Sequence, residues 1–267
     1  MKHAATTAAL ALRSALYMAL MVATVLPYSV GVLAWCWLPH PQRYWMITGW
    51  TRLGLIAARH LCGLRFEVIG RENLPDMAVI LQPKHQSAWE AFWLTIAMPR
   101  PLNFVYKREL NYVPFFGWAL STLDWINIDR KHGSDAFEQV LQQGTPWLAR
   151  GWWIVIFPEG TRTAPGATPR YKTGGARLAV RTGVPVVPIA HNAGELWPRR
   201  AFIKTPGTIT VSIGPPIFPD GRSADEMAAL IEGWIEGEMH RIAPHRYTPD
   251  QLAARAGATR VPVTRAF

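Results

Sequence analysis

Residues 83–92 read Pro-Lys-His-Gln-Ser-Ala-Trp-Glu-Ala-Phe and set one imidazole, His85, five positions before one carboxylate, Glu90. A histidine braced by a carboxylate is a general base, because the acid fixes the tautomer and stabilises the imidazolium that forms. In one continuous helix, five residues turn through about 500° and leave two side chains roughly 140° apart. The pair can meet only if His85 lies in the turn leaving a strand and Glu90 lies one turn into the following helix. The local sequence allows that. Met77–Leu81 is a short apolar run, Pro83 ends it, and Gln86 or Ser87 can open a helix, Ser87 being the better cap by residue type. The competing reading is a polar cluster at a helix start with a solvated Glu90.

A second constellation is FPEGTRT, Phe157–Thr163, which follows the apolar run WWIVI. A strand ending this way exposes backbone N–H groups near Gly160, the Thr161 hydroxyl and the Arg162 guanidinium. Together these suit a phosphate monoester, and arginine offers a bidentate fork that lysine lacks. YKREL and INIDR supply Lys107, Arg108 and Arg130, each just after a short apolar segment, from which they could project toward the same crevice. Taken singly, each of these cations reads equally as a solvated surface charge.

These groups need a scaffold, and the order of segments describes one. RFEVIG (Arg65–Gly70), MAVIL, NFVYK (Asn103–Lys107), WINID (Trp125–Asp129), WWIVIF (Trp152–Phe157), VPVVPIA (Val184–Ala190) and TITVSIG read as strands, with WWIVIF continuous enough to be central and buried. Helical segments alternate with them. One is capped by Ser134, with Gly144 and Pro146 expected to disturb its end; one covers Gly175–Arg181; the last starts at Ser223, with Glu226 three residues on as a capping box. Alternation of this kind implies an α/β fold with a mostly parallel sheet flanked by helices.

The N-terminal region differs. Met1–Phe66 contains no Asp or Glu but holds Lys2, Arg13, Arg43, Arg52, Arg59 and Arg65, in a chain of 267 residues with net charge +10 and 13 Trp. Basic flanks beside apolar segments suit anionic lipid, at about 1 kcal/mol per basic residue near the surface. No nucleic-acid motif accompanies the charge. Ser14–Leu38 is uncharged and, as a helix about 37 Å long, reaches across a hydrocarbon core of about 30 Å. Pro27 could kink it or divide it into a re-entrant hairpin. WCWLPHPQR follows where a signal peptide would carry a cleavage site. Across Tyr44–Leu61, Trp45, Met46, Trp50, Leu53, Ile56 and Leu61 are expected on one face and Thr48, Arg52 and Arg59 opposite, as in an interfacial helix; a core helix is the alternative. Residues 1–63 are thus a membrane anchor, with both ends on one side favoured over a crossing. Residues 64–243 form the α/β domain, and residues 244–267 a loosely ordered tail. Cys36 and Cys62 supply no disulfide framework, in keeping with a reducing compartment.

Taken together, the segments resemble the 1-acylglycerol-3-phosphate acyltransferases, the PlsC-like branch of the glycerolipid acyltransferases. The resemblance runs from about Leu64 to Pro216. HQSAWE matches the His-x4-acid motif and YKRELNYVPFFGW the segment after it, with INIDR, FPEGTRT and VPVVPIA as the second, third and fourth blocks. It implies transfer of a fatty acyl group from a thioester, coenzyme A or acyl carrier protein, to the sn-2 hydroxyl of lysophosphatidate at the cytoplasmic face of the inner membrane. His85 would be the general base and Glu90 its orienting partner. Arg162, Arg130 and Lys107 would hold the acceptor phosphate, and Glu159, Gly160 and Thr161 would shape that pocket. The resemblance implies no metal, no other cofactor and no acyl-enzyme. Two positions depart from the family pattern: Glu90 stands where Asp is usual, and Thr163 where Ser is usual. Another lysolipid acceptor, such as a lyso-ornithine lipid, a lipid or thioester hydrolase, and a non-catalytic membrane-surface module are the other readings.

Overall fold

Strands that are buried on both faces lose the in-out alternation of apolar residues, and the continuous apolar runs of this chain lie in the middle of its sheet. The computed structural model describes residues 2–129, 135–248 and 251. Two long helices come first, α1 (Lys2–Ala34) and α2 (His40–Cys62). There follow β1 (Leu64–Ile69), β2 (Ile80–Pro83), α3 (Trp89–Ala97), β3 (Leu102–Phe104), β4 (Tyr106–Lys107), α4 (Phe116–Ser121), β5 (Asn127–Ile128) and α5 (Asp135–Ala149). The remainder is β6 (Trp153–Val155), α6 (Gly174–Thr182), β7 (Val186–His191), α7 (Ala193–Leu196), β8 (Gly207–Ile213) and α8 (Ala224–Ile242). The main sheet has the order β1-β8-β7-β2-β6-β3, parallel except where β7 meets β8. The fold is therefore α/β with a mostly parallel mixed sheet, as the segment order implies.

Every residue of β2, β6 and β7 is buried. One core joins the sheet to α2 and α3 through Trp89, Trp93, Leu94 and Leu55. The other joins it to α5, α6 and α8 through Val140, Leu178, Met227, Ile231 and Ile235. Ser223 caps α8 as its residue type indicates: its hydroxyl accepts from Glu226 N at 3.2 Å, and the Glu226 carboxylate accepts from Ser223 N at 2.7 Å.

Several expectations change. NFVYK is two strands: β3 joins the main sheet, while β4 pairs with β5 in a separate parallel ribbon. Gly144 and Pro146 do not end α5, which runs on to Ala149. A Cβ on Gly144 would stand 2.8 Å from Ile154 Cδ1 and 3.2 Å from Ile126 Cδ1, so glycine there allows close packing on the sheet. Pro27 lies inside one continuous α1 of 33 residues, so the chain does not turn back there; the reversal comes after Ala34. On α2, Thr48 faces inward with Tyr44, Thr51, Leu55 and Ala58, whereas Trp45 and Ile56 are exposed beside Arg52 and Arg59. Small and polar residues let α2 pack closely on its neighbours beside the inward side chains of Tyr44, Trp50 and Leu55, while Trp45 and Ile56 point away. Residues 244–248, placed in the tail by sequence, include a 3-10 turn at Pro244–Arg246, and Glu195 pairs with His245 at 2.6 Å and Arg246 at 2.5 Å.

Candidate active site

The parallel strands β2 and β6 end side by side, and both motif loops leave from that edge. β2 closes at Pro83, where the chain must leave the ladder. Lys84 N–H donates to Ile189 O at 2.8 Å, and His85 follows in the turn. α3 begins at Trp89 with Ala88 at the cap position, so Ser87 does not cap it in the expected way. The Ser87 hydroxyl instead accepts from Trp89 N at 3.2 Å. Glu90 is the second residue of α3, and there it reaches back over the turn. Its Oε1 accepts from His85 Nδ1 at 2.8 Å, Ser87 N at 3.0 Å and Gln86 N at 3.2 Å. One carboxylate oxygen thus closes the turn and holds the imidazole. The longer side chain of Glu spans the gap at this helix start without loss of the His contact.

The electrostatics agree with that geometry. Burial pushes the Glu90 carboxyl up, but the His85 hydrogen bond, the nearby His191 and His85 rings and the Ser87 N–H outweigh it and hold the group below its ordinary value. An ionised Glu90 keeps the proton of His85 on Nδ1 and leaves Nε2 as the acceptor. The His85 ring also stacks on Phe157, centroids 3.8 Å apart and planes 20° apart. His85 remains partly accessible while Glu90 is fully buried.

The FPEGTRT loop wraps the same turn. Thr163 N–H and its hydroxyl donate to His85 O at 2.8 and 3.2 Å. Glu159 Oε1 accepts from His85 N at 3.1 Å. His191, at the end of β7, takes the Ala193 N–H on Nδ1 at 3.3 Å and so donates from Nε2 to Lys84 O at 2.6 Å. The peptide groups on either side of the His85 Cα are therefore tied to β7 and to the third motif. Gly160 adopts φ +67°, where a side chain would strain the backbone, and a Cβ there would meet Lys172 Nζ at 2.9 Å. Arg162 is half-buried; its Nε has no hydrogen-bond partner among the described residues, and its carbonyl accepts from Arg199 Nη1 at 2.8 Å.

The structure thus brings together His85, Glu90, Glu159, Gly160, Thr161 and Arg162. Lys107 is exposed at the end of β4, outside the hydrogen-bonded turn, and Arg130 lies outside the described residues. Sequence reasoning passed over Phe157, Thr163 as a backbone donor, His191, Lys172 and Lys84. For Lys84 one signal was available: a lysine abutting a buried strand needs a buried partner. A cavity of about 660 Å³, lined by Arg13, Arg59, His60 and Arg65, lies apart from these loops, between α1, the end of α2 and the starts of β1 and β8.

A model of the family described as Acyltransferase matches residues 65–192. The 1-acyl-sn-glycerol-3-phosphate acyltransferase of Pseudomonas aeruginosa is 44% identical over 211 residues, covering 78% of this chain and 82% of that protein. This chain belongs to the 1-acyl-sn-glycerol-3-phosphate acyltransferase family. The corresponding alpha enzyme of Mus musculus is 29% identical over 184 residues, 68% of this chain and 65% of that protein. A solved structure titled as the 1-acyl-sn-glycerophosphate (LPA) acyltransferase PlsC of Thermotoga maritima superposes with TM-score 0.70 at 22% identity, covering 86% of this chain and 95% of that one. That likeness concerns the fold. Family membership makes the protein an enzyme, an acyltransferase, and the HQSAWE and FPEGTRT loops both fall inside the matched span.

Proposed function

We propose that the protein transfers a fatty acyl group from a thioester to the sn-2 hydroxyl of lysophosphatidate, giving phosphatidate. The observation that carries the mechanism is the 2.8 Å contact from His85 Nδ1 to a buried, ionised Glu90. His85 Nε2 takes the proton of the acceptor hydroxyl as its oxygen bonds to the thioester carbonyl carbon. The tetrahedral adduct collapses, the C–S bond breaks, and the imidazolium returns its proton to the leaving thiolate. No acyl-enzyme is needed. Arg162 and the Gly160–Thr161 loop receive the acceptor phosphate, with Lys107 and Arg130 as further cations for it. Glu159 acts from behind, through the backbone of His85.

The membrane supplies the acceptor. α1 is long and apolar enough to cross a bilayer, with Thr6–Ala34 as the apolar span. Its Leu12, Leu16, Val22, Leu26 and Val30 are exposed, opposite the stripe through Tyr17 and Met21 that packs inward. A lysolipid can then be acylated at the bilayer surface without drawing its whole chain into water. We place the active site at the cytoplasmic face of the inner membrane, where soluble acyl-coenzyme A or acyl carrier protein can reach it.

The test is a purified-protein assay with lysophosphatidate against acyl-coenzyme A and acyl carrier protein thioesters. Phosphatidate should form with at least one donor, and His85→Ala should lower turnover by about a thousandfold or more. Near-normal turnover of His85→Ala, release of free fatty acid without an acceptor, or activity confined to an acceptor without phosphate would each overturn the reading.

A further inference from the structure

On the far side of the turn from the imidazole lies a charge cluster that the mechanism above does not use. The side chains of Lys84, Glu159 and Glu236 are wholly buried. Lys84 Nζ forms an ion pair with Glu236 Oε1, lies 3.4 Å from Glu159 Oε1, and donates to Ala167 O at 3.3 Å. Tyr171 closes the group: its hydroxyl donates to Glu236 Oε1 at 2.8 Å, and its N–H donates to Glu232 Oε2 at 3.3 Å. Glu232 and Glu236 are one turn apart on α8, beyond the residues 65–192 that the family model matches.

Such a cluster is costly to bury. Several kcal/mol of desolvation per ion are recovered only where geometry is good, and an apolar replacement of equal volume is often as stable. Stability alone therefore gives little reason for two carboxylates and one ammonium here. Their position gives a better one. Glu159 Oε1 accepts from His85 N at 3.1 Å, so a single oxygen is shared between the ammonium and the backbone of the general base. Lys84 is the residue before His85, and Glu159 the residue before Gly160. The same ammonium thus holds both motif loops, and Glu236 holds the ammonium.

We propose that Lys84, Tyr171 and Glu236 are positioning residues for acyl transfer, a buried brace by which α8 sets the orientation of Glu159 and, through it, of His85. The inference rests on the reading of His85 as general base. The groups facing Glu159 are Lys84 from the end of β2, the His85 N–H, Glu236 from α8, and Tyr171 with Glu232 behind it. Burial pushes the Glu159 carboxyl up to about 7; Lys84 and the His85 N–H oppose this, and Glu236 adds to it. The ionised carboxylate is the better acceptor for His85 N–H, so the brace tightens as Glu159 loses its proton.

Three variants test this in the full-length protein. Glu236→Gln keeps an acceptor for Tyr171 but removes a negative charge. It should lower kcat about tenfold with KM for both substrates changed less than about twofold, the pattern of a displaced base. The acid limb of kcat should move to lower pH, because Glu159 loses a like-charged neighbour. Lys84→Met should move that limb the opposite way. The triple variant Lys84→Met/Tyr171→Phe/Glu236→Leu replaces the other members of the cluster with apolar side chains and leaves Glu159 to stay protonated, so that no unpaired buried charge remains. It should melt near the wild-type temperature yet remain about tenfold slow, because Glu159 has lost its cation. If Glu236→Gln or Lys84→Met unfolds, the triple variant decides. A folded triple variant with wild-type kcat and pH profile sinks the inference alone. A wild-type enzyme that forms no phosphatidate sinks the reading of function together with it.

Discussion

The turn at His85 and the helix pair α1–α2 are parts of one acyltransferase, and they are built on opposite principles. At the turn, the polar groups of successive peptides are held by Ile189, His191, Glu159 and Thr163, and Glu90 gathers three donors on one oxygen. In the helix pair, Thr, Gly and Ala pack beside Tyr17, Met21, Tyr44 and Leu55, while Leu16 and Val22 are 52% and 64% exposed and Trp37, in the link between the helices, is 74% exposed. The first region holds one geometry against water; the second keeps its apolar surface free for another solvent. A base must be placed within a fraction of an ångström, whereas partition into lipid needs only area.

If that contrast is right, small changes at the turn should cost far more than larger ones on the helices. Glu90→Gln preserves shape but donates where it must accept; we expect kcat to fall about a hundredfold or more, with protein folded by circular dichroism. Glu90→Asp keeps the charge and retracts it by one methylene, for an expected loss of about tenfold, showing how far the helix start is matched to glutamate. Arg162→Lys should leave kcat nearly unchanged and raise KM for lysophosphatidate about tenfold, since lysine lacks the bidentate fork. By contrast, Leu16→Glu/Val22→Glu should weaken binding to phosphatidylglycerol vesicles several-fold in sedimentation. The kcat on a short-chain, water-soluble acceptor should stay at the wild-type value; a loss there would mean the helices shape the site itself.

The smallest effect concerns pH. The Glu159 carboxyl, raised to about 7 by burial, binds its proton more tightly folded than unfolded. Its contribution is full below the unfolded pKa of about 4.3 and declines as pH rises through about 7. Glu159→Gln removes this loss. The melting temperature of Glu159→Gln minus that of wild type should therefore grow by a few degrees from pH 5 to pH 8. A constant difference would show that Glu159 does not titrate in that range.

How much of this was legible beforehand depended on range in the chain. The His85–Glu90 pairing could be argued from a short stretch, because helix geometry rules out one continuous helix and the apolar run ending at Pro83 points to a turn followed by a helix start. The capping box of α8 and the burial of WWIVI, which lies beside the edge strand β3, were likewise local. Where expectations changed, a distant partner had decided. Pro146 does not stop α5 because packing on β6 and Ile126 outweighs one missing hydrogen bond. Thr48 turns inward because the neighbours of α2 are close-packed helices.

The amino-acid sequence alone determined the chemistry on offer: a histidine–carboxylate pair, a loop with glycine, hydroxyl and guanidinium after a buried strand, and a basic, acid-free apolar N-terminal segment. Those signals are short-ranged, set by turn geometry, strand periodicity and charge pattern. Only the tertiary structure decided that Lys84 would meet Glu236, 152 residues away, that His191 would grip the carbonyl beside the base, and that Thr48 of α2 would face inward while Trp45 and Ile56 face outward. Such contacts arise from how a parallel sheet orders its strands in space, and a linear pattern carries no record of that order.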